Sequence, residues 1–248
     1  MRYLLSTATQ PVLQQLALCR TLCAFDFDGT LAPIVDDPSQ AALRDDTRRL
    51  LTTLAGLYPC VILSGRARAD VAAKVCGIPL ERIIGSHGAE TELSPANGRP
   101  QVEEWKLIIE RNINGTPGVW VEDKGHSLAI HYRQAPEKAA ARRRILGATR
   151  ELDQARIFGG KLVINISVSG DPHKGTALAA ERARLACDSV LFAGDDENDE
   201  EAFAISGAVV GVRIGFKRTS GAGYYLRSQQ EIDKLMTRLI ELRSAATP

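Results

Sequence analysis

The chain has 248 residues, of which 44% are hydrophobic and 25% charged, enough for one sizeable core with an insertion but short for two full domains. Lys and Arg number 31 against 30 Asp and Glu, a formal net charge of +1. That balance argues against a nucleic acid or an anionic membrane as partner, and no run approaches the ~18 apolar residues of a membrane span.

The spacing predicts a short helix over 11–19, then a buried strand over 22–27 that ends in acid. Residues 44–56 have helical periodicity, 60–63 read as a second buried strand with a further helical stretch behind it, and 82–85 as a third. Strands alternating with helices point to a doubly wound parallel sheet. The pattern changes at about residue 92, and 94–98 is a turn-rich break. A helix (101–114), two strands (119–123 and 127–133), a helix (136–150) and two more strands (154–158 and 161–167) follow, which reads as an antiparallel sheet carrying two helices. After a second break at 170–172 the alternation resumes: helix 174–186, strand 189–193, helix 198–204, strand 208–212 and helix 229–243. The fold class read from this is α/β, with a core formed by 1–92 and 170–248 and an inserted α+β domain over 93–169.

Cys19, Cys23, Cys60, Cys76 and Cys187 are odd in number and form no Cys-x-x-Cys pair, so they read as reduced thiols of a cytoplasmic protein rather than disulfides or a zinc site. Arg20 interrupts the first apolar stretch, so no signal peptide is expected. Trp105 and Trp120 read as packing residues, and Arg142, Arg143 and Arg144 as a solvated helix face.

Four segments carry chemistry. Asp26 and Asp28, in Ala24-Phe-Asp-Phe-Asp-Gly-Thr-Leu31, lie where a buried strand ends, the place where open parallel sheets bind ligands. A β-hairpin would account for Asp28-Gly29 but not for an acid at Asp26 inside an apolar run, which calls for a cation. Gly194-Asp195-Asp196-Glu197-Asn198-Asp199-Glu200 follows another apolar strand, and its crowded acids repel unless a cation gathers some of them. There Asp195 and Asp199 read as metal-binding and Glu200 and Glu201 as a solvated helix start. Ser64, in Leu63-Ser-Gly-Arg66, offers a hydroxyl and backbone N–H groups suited to phosphate oxygens, although taken by itself it reads better as a plain helix N-cap. Lys174 opens a helix at the dipole's unfavourable end, which makes sense beside an anion.

An acid pair on the first strand, then Ser, then Lys, then a late acid pair is the order of the haloacid-dehalogenase-like (HAD) phosphatases, which this chain resembles. The resemblance implies a HAD-like Rossmannoid core, with the insertion as a cap domain. It also implies Mg²⁺ as cofactor and an aspartyl-phosphate mechanism. Asp26 would be the nucleophile and Asp28 the acid/base, with Ser64 and Lys174 holding phosphoryl oxygens. The metal would be held by Asp26, the backbone carbonyl of Asp28 and Asp195, with Asp199 or Asp196 reaching it through water.

The inserted segment narrows the resemblance. Val121-Glu122-Asp-Lys124-Gly-His126-Ser-Leu-Ala-Ile-His131-Tyr-Arg133, Gly85-Ser-His87-Gly88 and the Gly194–Phe203 string are similar to trehalose-6-phosphate phosphatases over about residues 22–216. That similarity implies trehalose 6-phosphate as the small-molecule substrate and a functional link to a trehalose-phosphate synthase. Glu122, Lys124 and His126 would bind the sugar, with Gly65, Arg66, His87, Gly88 and Asn165 as further substrate contacts. Asn165 stands where the family usually carries Glu, which leaves another sugar phosphate open as substrate. The family's usual Arg-Pro before Lys174 is missing. His131 and Arg133 either face the pocket or pair on the sheet surface. A receiver-like phospho-acceptor is the competing reading from another class, and a catalytically dead sensor a third.

Overall fold

In the computed structural model, residues 1–91, 100–125 and 127–246 are described. The break at 94–98 and His126 lie outside them. The chain divides into two compact units, residues 1–91 with 172–248, and residues 92–171.

The first unit begins with β1 (Arg2–Tyr3), α1 (Gln10–Leu18), β2 (Thr21–Phe25), α2 (Asp45–Ala55), β3 (Cys60–Leu63), α3 (Arg68–Lys74) and β4 (Arg82–Ile84). The inserted unit holds α4 (Pro100–Ile113), β5 (Trp120–Asp123), β6 (Ser127–His131), α5 (Lys138–Ala148), β7 (Ala155–Gly160) and β8 (Val163–Val168). The chain returns to the first unit through α6 (Lys174–Arg184), β9 (Ser189–Gly194), α7 (Glu200–Phe203), β10 (Val209–Ile214), β11 (Tyr224–Leu226) and α8 (Glu231–Ala246).

The first unit's seven strands run in the order β1-β11-β10-β9-β2-β3-β4, every pairing parallel. Its central strands are buried on both faces, as continuous apolar runs in a parallel sheet require. Alternation sends Cys23, Phe25, Ile62 and Leu191 into one core with α1, α2 and α8. Leu22, Ala24, Val61 and Phe192 go into another with α6 and α7. Helices thus cover both faces of the sheet. Strands β1 and β11 escape the sequence reading because two and three residues are too few to show a period. The helix expected over 198–204 is a 3₁₀ turn (Glu197–Asp199) followed by the one-turn α7.

The inserted unit's sheet is antiparallel, ordered β5-β6-β8-β7. Leu128, Ile130, Ile164 and Ile166 face α4 and α5, packing on Trp105, Ile109 and Ile145. Trp105 is buried, as expected, whereas Trp120 is 48% exposed. The packing reading fails for Trp120 because its register partner is His131, on the sheet face opposite Leu128 and Ile130. Arg142, Arg143 and Arg144 are exposed. Cys23, Cys60 and Cys187 are buried and Cys76 is exposed. Among the described residues no helix is long and apolar enough to cross a membrane.

Candidate active site

The strand order places a switch between β2 and β9. From β2 the chain runs outward through β3 and β4, and from β9 it runs the other way through β10 and β11. The carboxyl ends of two such strands form the crevice where α/β sheets bind ligands. Asp26 directly follows β2, and its N–H donates to the Ala193 carbonyl at 2.8 Å. Asp195 directly follows β9.

Asp26, Asp195 and Asp199 are all buried, and one carboxylate oxygen from each lies within 4.8 Å of the others. Lys174 is 1% exposed, and its Nζ donates to Asp26 Oδ1 at 2.7 Å and to Asp199 Oδ1 at 2.6 Å. Burial pushes the Asp26 carboxyl well up; Lys174 opposes this, and Asp199 and Asp195 add to it. Burial alone would lower the Lys174 ammonium, but Asp199 and Asp26 outweigh it and hold the amine charged. The three carboxylates offer hard oxygen donors at a spacing that fits a divalent cation.

The second oxygen of Asp199 accepts from the N–H groups of Asp195 (2.8 Å) and Asp196 (2.9 Å). Asp199 therefore braces the loop and Lys174, which makes Asp26 and Asp195 the better direct ligands. Asp196 Oδ1 accepts from the Glu197 N–H at 2.8 Å, capping the 3₁₀ turn, and lies outside the three-carboxylate cluster. Gly29 has a φ of +81°, and an added Cβ would fall on the Asp195 carboxylate. Only glycine lets these two loops approach so closely.

Ser64 is fully buried after β3; its Oγ accepts from the Arg66 N–H at 3.1 Å, and its carbonyl from the His87 N–H at 2.8 Å. A Cβ at Gly65 would collide with the His87 ring, so Ser64, Gly65 and His87 meet. Gly88 packs on the backbone of His173, whose Nδ1 accepts from the Gly175 N–H at 3.2 Å and caps α6. This cap ties the start of the Lys174 helix to the 86–88 turn. Arg66 Nε and Nη2 donate to the two oxygens of Asp28 at 2.6 and 2.8 Å.

The inserted unit brings Glu122 and Lys124 together at the end of β5, with 3.9 Å between their charged atoms. His131 Nε2 lies 2.8 Å from Glu122 Oε2, and Trp120 stacks on the His131 ring at 4.0 Å. His131 therefore pairs on the sheet. Asn165 lies beside Ala129, which lies beside Glu122, so the three share one row across the sheet. Among the described residues, Asn165 Nδ2 and Ser167 Oγ are buried without a hydrogen-bond partner.

The sequence reading missed Arg213. It is 7% exposed and donates to the carbonyls of Asp195 (2.8 Å) and Asp196 (3.0 Å) and to Glu200 Oε1 (2.7 Å). A charge inside the apolar run of β10 was the signal that could have found it. Glu200, read as solvated, is the other half of that brace.

The trehalose-phosphatase family model matches residues 24–221. The chain belongs to that family. A trehalose-phosphate phosphatase of Mycobacterium ulcerans (strain Agy99) is 31% identical over 93% of this chain and 60% of its own length. A probable trehalose-phosphate phosphatase 4 of Oryza sativa subsp. japonica is 29% identical over 87% of this chain and 65% of its own. The chain thus spans 60% to 65% of the length of these curated relatives. The C-terminal domain of Candida albicans trehalose-6-phosphate phosphatase shares the fold at a TM-score of 0.80 and 21% identity, covering 94% of this chain and 96% of that one. Aspergillus fumigatus trehalose-6-phosphate phosphatase aligns at a TM-score of 0.65 and 25% identity, covering 97% and 99%. For a trehalose-phosphatase family member, the matched span takes in the acid cluster, Lys174, the Ser64 segment and the whole inserted unit.

Proposed function

We propose that this protein hydrolyses trehalose 6-phosphate to trehalose and phosphate in a Mg²⁺-dependent reaction that passes through an aspartyl-phosphate on Asp26. The observation that carries this reading is the buried cluster of Asp26, Asp195 and Asp199 around Lys174 at the sheet's switch point, in a chain of the trehalose-phosphatase family.

The Asp26 carboxylate attacks phosphorus in line as the bond from phosphorus to the sugar oxygen breaks. Asp28, protonated at that moment, gives its proton to the departing oxygen. As a carboxylate it then takes a proton from the water that attacks the aspartyl-phosphate, and the bond from Asp26 to phosphorus breaks to release phosphate. Lys174 and Ser64 hold phosphoryl oxygens. Asp26, Asp195 and the Asp28 carbonyl would hold Mg²⁺, with Asp199 or Asp196 reaching it through water. Bound there, Mg²⁺ supplies the positive charge that keeps Asp26 ionised and offsets the phosphoryl group.

Glu122 and Lys124, with His126, take sugar hydroxyls in this reading, and Gly65, His87 and Gly88 shape the site beside Ser64. The unpartnered Asn165 Nδ2 and Ser167 Oγ support polar ligand contact on the same sheet face, since buried polar groups normally have partners. Asn165 also favours a second reading, a different sugar phosphate as substrate. Phosphate release from a panel of sugar phosphates, with Mg²⁺ and with EDTA, separates them. The expected result is Mg²⁺-dependent preference for trehalose 6-phosphate. Preference for another sugar would overturn the substrate and keep the chemistry, and release that survives EDTA would overturn the metal.

A further inference from the structure

The proposed acid/base, Asp28, has both carboxylate oxygens engaged by one guanidinium. Arg66 Nε donates to Oδ2 at 2.6 Å and Nη2 to Oδ1 at 2.8 Å, the fork geometry that gives arginine its directional grip on a carboxylate. The third nitrogen, Nη1, donates to Asp70 Oδ2 at 2.7 Å, and Lys74 Nζ lies 3.6 Å from the other Asp70 oxygen. The arginine is held along its whole length. Its N–H donates to Ser64 Oγ, its carbonyl accepts from the Ser86 N–H at 2.7 Å, and its guanidinium lies 5.8 Å over the Phe27 ring. Its side chain is 15% exposed, against 37% for Asp28 and 43% for Asp70.

A carboxylate with both oxygens on one cation cannot deliver a proton to a leaving group until one oxygen is released. Releasing it from a mostly buried arginine is costly unless the guanidinium keeps another partner. Asp70 is that partner. We propose that Arg66 is a positioning residue that parks and aims Asp28, and that Asp70 holds the guanidinium while Asp28 moves between Arg66 and the reacting oxygen. This rests on the reading of Asp28 as acid/base given above. Arg66 then acts through Asp28 and touches neither the sugar nor the phosphate.

Leaving-group dependence tests the idea. The nitrophenolate of p-nitrophenyl phosphate departs without a proton, whereas a sugar alkoxide needs one; both substrates need Asp28 as base to clear Asp26. Rapid-mixing assays with p-nitrophenyl phosphate and steady-state assays with trehalose 6-phosphate are run on wild type, Arg66→Gln, Arg66→Lys, Asp70→Asn and, as reference, Asp28→Asn. For Arg66→Gln, kcat on trehalose 6-phosphate falls roughly 10–100-fold, part of the usual worth of general acid–base catalysis, while KM stays within about threefold. On p-nitrophenyl phosphate it gives a full burst of one nitrophenolate per site, at near wild-type rate, followed by slow turnover. Arg66→Lys keeps the charge but not the fork and behaves more like Arg66→Gln than like wild type. Asp70→Asn shows the same pattern more weakly.

A burst rate that falls together with kcat, or a raised KM on both substrates, would overturn the proposal and put Arg66 on the phosphate or sugar. A reduced burst amplitude with unchanged kinetics per active site would overturn it in favour of a structural role. Rescue to wild-type rate by Arg66→Lys would leave charge alone as Arg66's contribution and would also overturn it. If Asp28→Asn itself lacks the burst-then-slow pattern, the acid/base reading of Asp28 fails. If Asp28→Asn shows it and Arg66→Gln does not, only the positioning role fails.

Discussion

Three carboxylates share a buried site with the ammonium of Lys174. In the proposed reaction, attack on phosphorus requires Asp26 ionised, while burial and its acidic neighbours push it towards the neutral form. A divalent cation bound there would reverse that bias and so would contribute to folding as well as to the proposed chemistry. Added Mg²⁺ is expected to raise Tm, since at about 100 times Kd the linkage is worth about 2.7 kcal/mol. In Asp26→Asn one repelling charge is gone, while Lys174 keeps Asp199. Turnover is expected to vanish, the metal-free Tm to rise and the Mg²⁺ increment to shrink, all read in thermal scans with and without MgCl₂. A full Mg²⁺ increment in that variant would assign the cation to other ligands.

At the scale of elements, the site depends on loops that follow β2, β3 and β9 and on the start of α6. Gly29→Ala forces a positive φ on an L side chain and drives a methyl group into Asp195. It is expected to weaken Mg²⁺ binding and to lower phosphate release by at least about 100-fold, the scale set by small misplacements of catalytic groups. Wild-type kinetics in that variant would mean the two loops need not approach. Arg213→Met removes buried charged hydrogen bonds to two carbonyls of the acidic loop, and denaturant unfolding should show a loss of about 2–4 kcal/mol. An unchanged midpoint would show the loop braced by other means. The strand ends and the Asp-x-Asp, Ser, Lys and acidic segments were legible because an apolar run that stops abruptly at charge marks a buried strand emerging at a polar crevice. The fork of Arg66 on Asp28, the brace of Arg213 and the pairing of His131 with Glu122 were not. Each joins residues distant in sequence or across a strand pair, and spacing does not encode which of several acids a cation will choose. Trp120 was misread because burial depends on which sheet face the helices cover, and a single aromatic does not reveal that.

For the molecule as a whole, chain order was the informative signal. Parallel strands, a run of antiparallel elements and then parallel strands again point to one sheet with an insertion. The seven-stranded parallel sheet and the separate four-stranded antiparallel sheet are the outcome. The division falls after residue 91 and after residue 171. What chain order leaves out is the proposed sugar, which rests on Glu122, Lys124 and family membership.

The central claim is that Asp26 carries the phosphoryl group. Its most direct test is rapid acid quench of a single turnover with trehalose 6-phosphate labelled on phosphorus, followed by peptide mapping. The account predicts transient label, approaching one per site at its peak, on the peptide containing Asp26, absent in Asp26→Asn and after EDTA treatment. Phosphate release at the full rate with no label on protein, or label on another residue, would contradict it.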